Sequence, residues 1–169
     1  MNKSNVFFGV DPGSNLCGFG AIQVQNNTVR WLDSGVISTR GAKCLAQKLE
    51  CIYDGLVEKI YRYSPGCVCV EEAFYAKNVH TTLVLGHARG AVLLAAQKTG
   101  ARILEYSPRE IKKTVVGNGN ATKDQVGYMI KMLLSPPPDR QQVDACDALA
   151  AALCGYYTHR TAHVFAARI

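Results

Sequence analysis

Apolar residues follow two different periods along this chain, and the switches between them mark its elements. Residues 5–11 form an apolar run closed by Pro12-Gly13, which reads as a buried strand with Asp11 as its last residue. Residues 17–25 read as a second strand, with Gly18 and Gly20 placed to let another backbone or a substrate come close. Asn26-Asn27 signals a hairpin, because Asn tolerates positive φ. A third strand, residues 28–38, carries Val29, Trp31, Val36 and Ile37 and is expected to bend at Asp33-Ser34-Gly35. Three strands joined by tight connections make an antiparallel meander.

From residue 42 to 63 the period becomes helical, with Leu45, Leu49, Ile52, Leu56 and Ile60 on one face. Ser64-Pro65-Gly66 ends that helix. Residues 67–70 are apolar throughout, as a central strand is, and Glu71 and Glu72 close the run. A loop carrying Phe74, Tyr75, Lys77 and His80 leads to a second helix, residues 81–98, rich in Gly and Ala. Residues 102–106 read as a fifth strand. Ser107-Pro108-Arg109-Glu110 supplies an N-cap, a first-turn proline and a capping-box glutamate. Gly117-Asn118-Gly119-Asn120 interrupts that helix, and another resumes near Ala121 with Val126, Met129, Ile130, Leu133 and Leu134 buried. Pro136-Pro137-Pro138 breaks the chain again, and a last helix is expected from about residue 140 to 157. The expected organisation is one domain over residues 1–158 and a short tail over 159–169.

This order gives an α/β fold. A strand–helix–strand crossover makes the fourth and fifth strands parallel. If the fourth strand lies beside the first and parallel to it, Asp11 and Glu71 stand side by side at the usual place for a site in such a sheet. Asp144 and Asp147 are three apart on a helix otherwise built of Ala, Leu and Cys, so they share a face. Four carboxylates brought together cannot all ionise without a counter-cation. Mg²⁺ takes oxygen ligands of this kind. Two such ions, roughly 3.5–4 Å apart, would activate a water and stabilise a leaving oxygen in phosphodiester cleavage.

Other readings of these residues stand beside that one. Asp11 could cap the Pro12-Gly13 turn, and Asp144 could serve as a favourable charge near a helix N-terminus. Strand period alone does not choose between Glu71 and Glu72. Phe74 and Tyr75 either pack on the sheet or stack on bases. Lys112, Lys113 and Lys123 form either a solvated face or, beside Gly117 and Gly119, a phosphate-contacting one.

Composition narrows the class. A chain of 169 residues suits one domain and can bury roughly 70% of its unfolded surface, so it needs no covalent staples. Seven cysteines, an odd number without a C-x-x-C pair, argue against a disulfide frame or a zinc ribbon. The formal charge of +6 suits a polyanionic partner. The N-terminus lacks a secretory signal and no apolar run is long enough to cross a bilayer, so a cytoplasmic location is expected.

Val10-Asp11-Pro12-Gly13-Ser14 with Gly18 and Gly20 resembles the opening motif of the RuvC family of Holliday-junction resolvases. Residues 71–78, the Leu85-Gly86-His87-Ala88-Arg89-Gly90 run, residues 112–123 and the stretch from Asp144 to Ala150 resemble its later blocks, in the family's order. The resemblance covers residues 8–153. It implies an RNase H-like fold with a five-stranded mixed sheet, three antiparallel strands followed by two parallel ones, flanked by helices. It implies a homodimeric Mg²⁺-dependent endonuclease, with Mn²⁺ as a substitute, that nicks four-way DNA junctions symmetrically in recombination and repair. Asp11, Glu71, Asp144 and Asp147 take the catalytic and metal-binding positions. Phe74, Lys77, Arg89, Lys112, Lys113 and Lys123 take DNA-contacting ones. The RuvA–RuvB branch-migration complex is the implied partner. His87 stands where the family pattern leads us to expect a Gln.

Overall fold

The computed structural model describes residues 5–72, 78–134 and 143–166, with side chains as far as residue 160. Ten elements follow in order: β1 (Val6–Asp11), β2 (Leu16–Gln25), β3 (Thr28–Ser38), α1 (Leu45–Tyr63), β4 (Cys67–Glu71), α2 (Val79–Lys98), β5 (Arg102–Tyr106), α3 (Pro108–Val116), α4 (Lys123–Leu133) and α5 (Val143–Ala166). The five strands form one sheet in the order β3-β2-β1-β4-β5. β1 is antiparallel to β2 and parallel to β4, and β4 is parallel to β5.

Strand alternation divides the core into two layers. Phe8, Val10, Phe19, Ala21, Val68 and Val70 face Ile52, Leu56 and Ile60 of α1 and Ala88, Val92 and Ala95 of α2. Phe7, Ile22, Cys67 and Cys69 point the other way, toward Ile111 of α3, Ile130 of α4 and Leu149, Leu153 and Tyr156 of α5. The buried cysteines serve as small apolar residues of these layers, and none of the seven forms a disulfide.

Local chemistry accounts for the boundaries. Asn26 and Asn27 take φ of 49° and 61°, closing the β2–β3 hairpin. The β2–β3 register shifts where Ala21 faces Asp33 and Ile22 faces Trp31, leaving Leu32 as the extra residue. That bulge falls just before the bend expected at residues 33–35. The Thr39 hydroxyl donates to the Ser14 carbonyl over 2.7 Å, tying the end of β3 to the turn that follows Asp11. Ser107 and Glu110 form the expected capping box on α3, and Thr122 and Gln125 form a second on α4. Asn78 caps α2 by accepting from the Thr81 N–H, so that helix starts two residues before the expected position.

Two expectations are corrected. α5 does not end at residue 157 but continues to Ala166. No Gly or Pro breaks the chain after Gly155, and the His159 ring packs edge-on against Phe7, with centroids 5.9 Å apart. The statement that no apolar run could span a bilayer also changes: among the described residues α2 is long and apolar enough by length and composition. Its Thr, His and Arg residues hide this from a search for unbroken apolar runs.

Candidate active site

β1 and β4 run in register with Val10 beside Val70, so the next residue on each strand, Asp11 and Glu71, are neighbours. Both strands alternate, and Cys67, Cys69 and Glu71 share the face that packs on α5. Asp11 follows Phe7 and Gly9 on that face. Glu71 is the last residue of β4, whereas Glu72 lies beyond the strand and donates its N–H to the Tyr106 carbonyl.

Helix α5 reaches this end of the sheet because glycines clear its path. A Cβ on Gly9 would lie 1.8 Å from the Ala148 carbonyl oxygen, and one on Gly18 would lie 2.1 Å from that of Asp144. A Cβ on Gly20 would come within 2.7 Å of Leu149. Gly9 faces Gly20 across the ladder, and Asp11 faces Gly18. What comes close to these glycines is the backbone of the helix that carries Asp144 and Asp147. Gly9 escapes notice in the sequence because it stands inside an otherwise ordinary strand.

The electrostatics tie Asp11 to Asp147 and Asp144, and Glu71 to Asp11 and Asp147. Burial, then the charges of Asp147 and Asp144, push the Asp11 carboxyl up to about 7, with Lys123 opposing. Burial, then Asp11 and Asp147, push Glu71 up to about 8, with Lys123 and Lys112 opposing. The Lys123 ammonium donates to Asp147 Oδ2 over 2.6 Å, and that bond raises its own pKa. Buried Cys17 is held up at about 12, first by burial and then, among its neighbours' charges, by Asp11 and Asp144. It is a buried thiol of the layer under α1 and α2, as expected of a core cysteine, and it feels the charges of these two acids.

Among the described residues, no three carboxylate, thiol or imidazole groups are drawn together around one point as an ion's ligands would be. Lys123 supplies the positive charge at Asp147 instead. The donor set nevertheless suits a hard divalent cation. Its oxygens are carboxylates, and burial, then the charges of the neighbouring acids, raises the central pair to about 7 and about 8, which a bound cation would offset.

The expected DNA-contacting residues separate into groups. Lys123 and Lys112 both act on the acids. Lys113 is exposed in the last turn of α3. Arg89 on α2 is ion-paired with Glu105 on β5 rather than directed at the cluster. Phe74 and Lys77 lie outside the described residues. Gly117, with φ of 83°, is open on its Cα side, whereas a Cβ on Gly119 would strike Arg109 at 2.6 Å. Gly86 and Gly90 have nothing within reach of a Cβ, so they do not pack inside the fold.

Two cavities frame the layer around α5. One of about 320 Å³ lies between α4 and α5 and is lined by Lys123 and Asp147. Another of about 270 Å³ lies at the opposite end of the sheet, against Phe7, Cys67 and Tyr156, and carries no acid among its described lining residues. Only the first bears on the cluster.

The sequence profile of the family described as crossover junction endodeoxyribonuclease RuvC matches residues 7–155. A protein of that name from Tolumonas auensis is 44% identical over 156 residues, covering 92% of this chain and 89% of the relative. Another from Shewanella frigidimarina is 46% identical over 156 residues, with the same coverage. The structure of Thermus thermophilus RuvC in complex with Holliday junction substrate superimposes with a TM-score of 0.84 at 30% identity, covering 92% of this chain and 96% of the other. The sheet and its flanking helices are the RNase H-like fold of that neighbour. Fold and relatives converge, and the chain belongs to the RuvC family of crossover junction endodeoxyribonucleases.

Proposed function

We propose that this chain resolves four-way DNA junctions in recombination and repair, cutting two strands at symmetric positions with the help of Mg²⁺. The observation that carries this reading is the meeting of Asp11 and Glu71 with α5, where Asp11 feels the charge of both Asp144 and Asp147. The structure of T. thermophilus RuvC in complex with Holliday junction substrate supports the choice of substrate.

Asp11, Glu71, Asp144 and Asp147 would hold the divalent ions, two per subunit, with Mn²⁺ able to replace Mg²⁺. When bound, those ions supply water activation and stabilisation of the leaving oxygen. The protein's own residues do the rest. β1 and β4 fix the central carboxylates on a rigid sheet, and the glycine-lined seat fixes α5 against them. Lys123 holds Asp147 in place and, with Lys112, offsets negative charge gathering on the phosphate. Lys113, Lys77, Arg89 and Phe74 are assigned to the DNA more broadly, Phe74 as a stacking ring at the junction centre.

Paired cuts need two equivalent sites related by symmetry. The outward face of α2 suits a homodimer contact: Val79, Leu83 and Leu94 are exposed there, and Gly86 and Gly90 let a second helix approach. The same face explains why α2 is so apolar, in keeping with a cytoplasmic protein. The RuvA–RuvB complex is the expected partner in the cell.

The test is cleavage by the purified chain of a synthetic four-way junction, a linear duplex and an RNA–DNA hybrid, each with and without Mg²⁺. Paired nicks in the junction alone, dependent on the cation, are expected. Cleavage of the hybrid in preference to the junction would replace this reading with that of a hybrid-specific nuclease.

A further inference from the structure

Seven large apolar side chains stand exposed among the described residues, and two of them, Tyr128 and Val143, line one groove beside the acids. Tyr128 is 64% exposed, Met132 66% and Val143 55%. Met132 is four residues on from Tyr128 along α4, and Val143, the first residue of α5, lines the same groove as Tyr128. Scattered apolar residues on a surface need no explanation, but a cluster at the mouth of a charged site does.

This cluster borders the α4–α5 groove of about 320 Å³. Tyr128 lines one wall and Val143 the other, and Lys123 and Asp147 connect the groove to the acid cluster. Gly127 leaves the α4 wall without a side chain, and a Cβ there would meet nothing within 4 Å. Lys131 lines the groove two turns beyond Lys123, about 12 Å along the helix. An exposed ring flanked by two ammonium groups is the arrangement with which proteins hold single-stranded nucleic acid: bases stack on the ring while cations follow the backbone. Among the described lining residues Asp124 is the one acid besides Asp147, and it sits in the first turn of α4, where the helix dipole favours it.

We propose that the α4–α5 groove seats a nucleotide adjoining the scissile phosphate, with its base stacked on Tyr128 and its outer phosphate on Lys131. The proposal rests on the junction-cleaving function given above and adds a specificity element to it. Base stacking on Tyr128 makes cleavage depend on the identity and unpairing of that nucleotide, so this groove contributes to the choice of cutting sequence. Tyr128 is a positioning residue, since it touches neither the acids nor the reacting phosphate.

The experiment uses the full chain and a four-way junction carrying 2-aminopurine at each position within two nucleotides of the cut, with Ca²⁺ for binding and Mg²⁺ for cleavage. In the wild type, the fluorescence of one such base is quenched on binding. Tyr128→Ala abolishes that quench, lowers kcat/KM at the preferred sequence about ten- to a hundredfold, and flattens the preference among sequences. Tyr128→Phe keeps the quench and the preference, because the ring rather than the hydroxyl does the stacking. Lys131→Gln raises KM without changing the sequence profile. An unchanged melting temperature for all three variants confirms intact folding, as expected for exposed positions. A Tyr128→Ala protein with wild-type quench and wild-type sequence profile overturns the proposal. Wild-type protein that leaves the junction uncut in Mg²⁺ overturns the underlying function instead, and the two failures are read from different lanes.

Discussion

Asp11 and Glu71, the central acids of the proposed site, hold their protons to unusually high pH because the fold withholds water from them. Their carboxyls sit at about 7 and about 8, against 3.8 and 4.5 for the unburied groups. Between pH 4 and 8 the folded, cation-free protein holds protons that the unfolded chain has released, so stability falls as pH rises through that window. Denaturant melts in chelator should show a loss on the order of several kcal/mol from pH 4.5 to pH 8. Stability that rises over the same range would contradict the burial of these acids. Asp11→Asn removes one of the opposed charges, and its chelated form should melt above the wild type at pH 8. Cation binding near pH 7 must displace protons from the pair, so titration calorimetry in buffers of different ionisation enthalpy should report net proton release. Lys123→Ala leaves Asp147 without its 2.6 Å partner. A fall in kcat of about ten- to a thousandfold is expected, the scale of losing one charge-stabilising donor; an unchanged kcat would confine Lys123 to a structural role.

At the scale of elements, the site depends on how deeply α5 sits against β1 and β2. Gly18→Ala would drive a methyl group to 2.1 Å from the Asp144 carbonyl, and only a shift of the helix relieves that. Overpacking of this kind costs about 1–3 kcal/mol, and the displaced Asp144 and Asp147 should take nicking with them. Normal stability and normal nicking in Gly18→Ala would show that the helix rides higher than described. The same contact marks the limit of what the sequence discloses. The ends of β1 and β4, the helical D-x-x-D spacing and the parallel crossover are local or topological signals; they put Asp11 beside the end of β4 and Asp144 and Asp147 on one helix, while the choice of Glu71 over Glu72 rests on the family resemblance. Gly9 is not such a signal, since its role appears only when its ladder partner Gly20 and the Ala148 carbonyl are known. Neither is the ion pair of Lys123 with Asp147, which joins residues on different helices, nor the reach of α5 to Ala166, which rests on contacts such as that of His159 with Phe7.

For the whole molecule, two cuts require two copies. α2 presents Leu83 and Leu94 to solvent while burying Ala88, Val92 and Ala95 under the sheet, so one helix serves the core with one side and the proposed partner with the other. Leu83→Asp should convert a dimer to a monomer in sedimentation experiments and leave folding intact, because the side chain is exposed in the single chain. Junction cleavage by that variant should lose its pairing, giving single nicks at reduced rate; an undisturbed dimer would move the interface elsewhere. The convergence of carboxylates from three elements on one phosphodiester remains the claim on which the rest depends. Its most direct measurement pairs Asp11→Asn with a synthetic four-way junction, following binding and Mg²⁺-dependent nicking in the same samples. The account predicts binding within a few-fold of the wild type and nicking reduced at least about a hundred- to a thousandfold. Nicking at the wild-type rate, or loss of binding together with nicking in a folded variant, would contradict it.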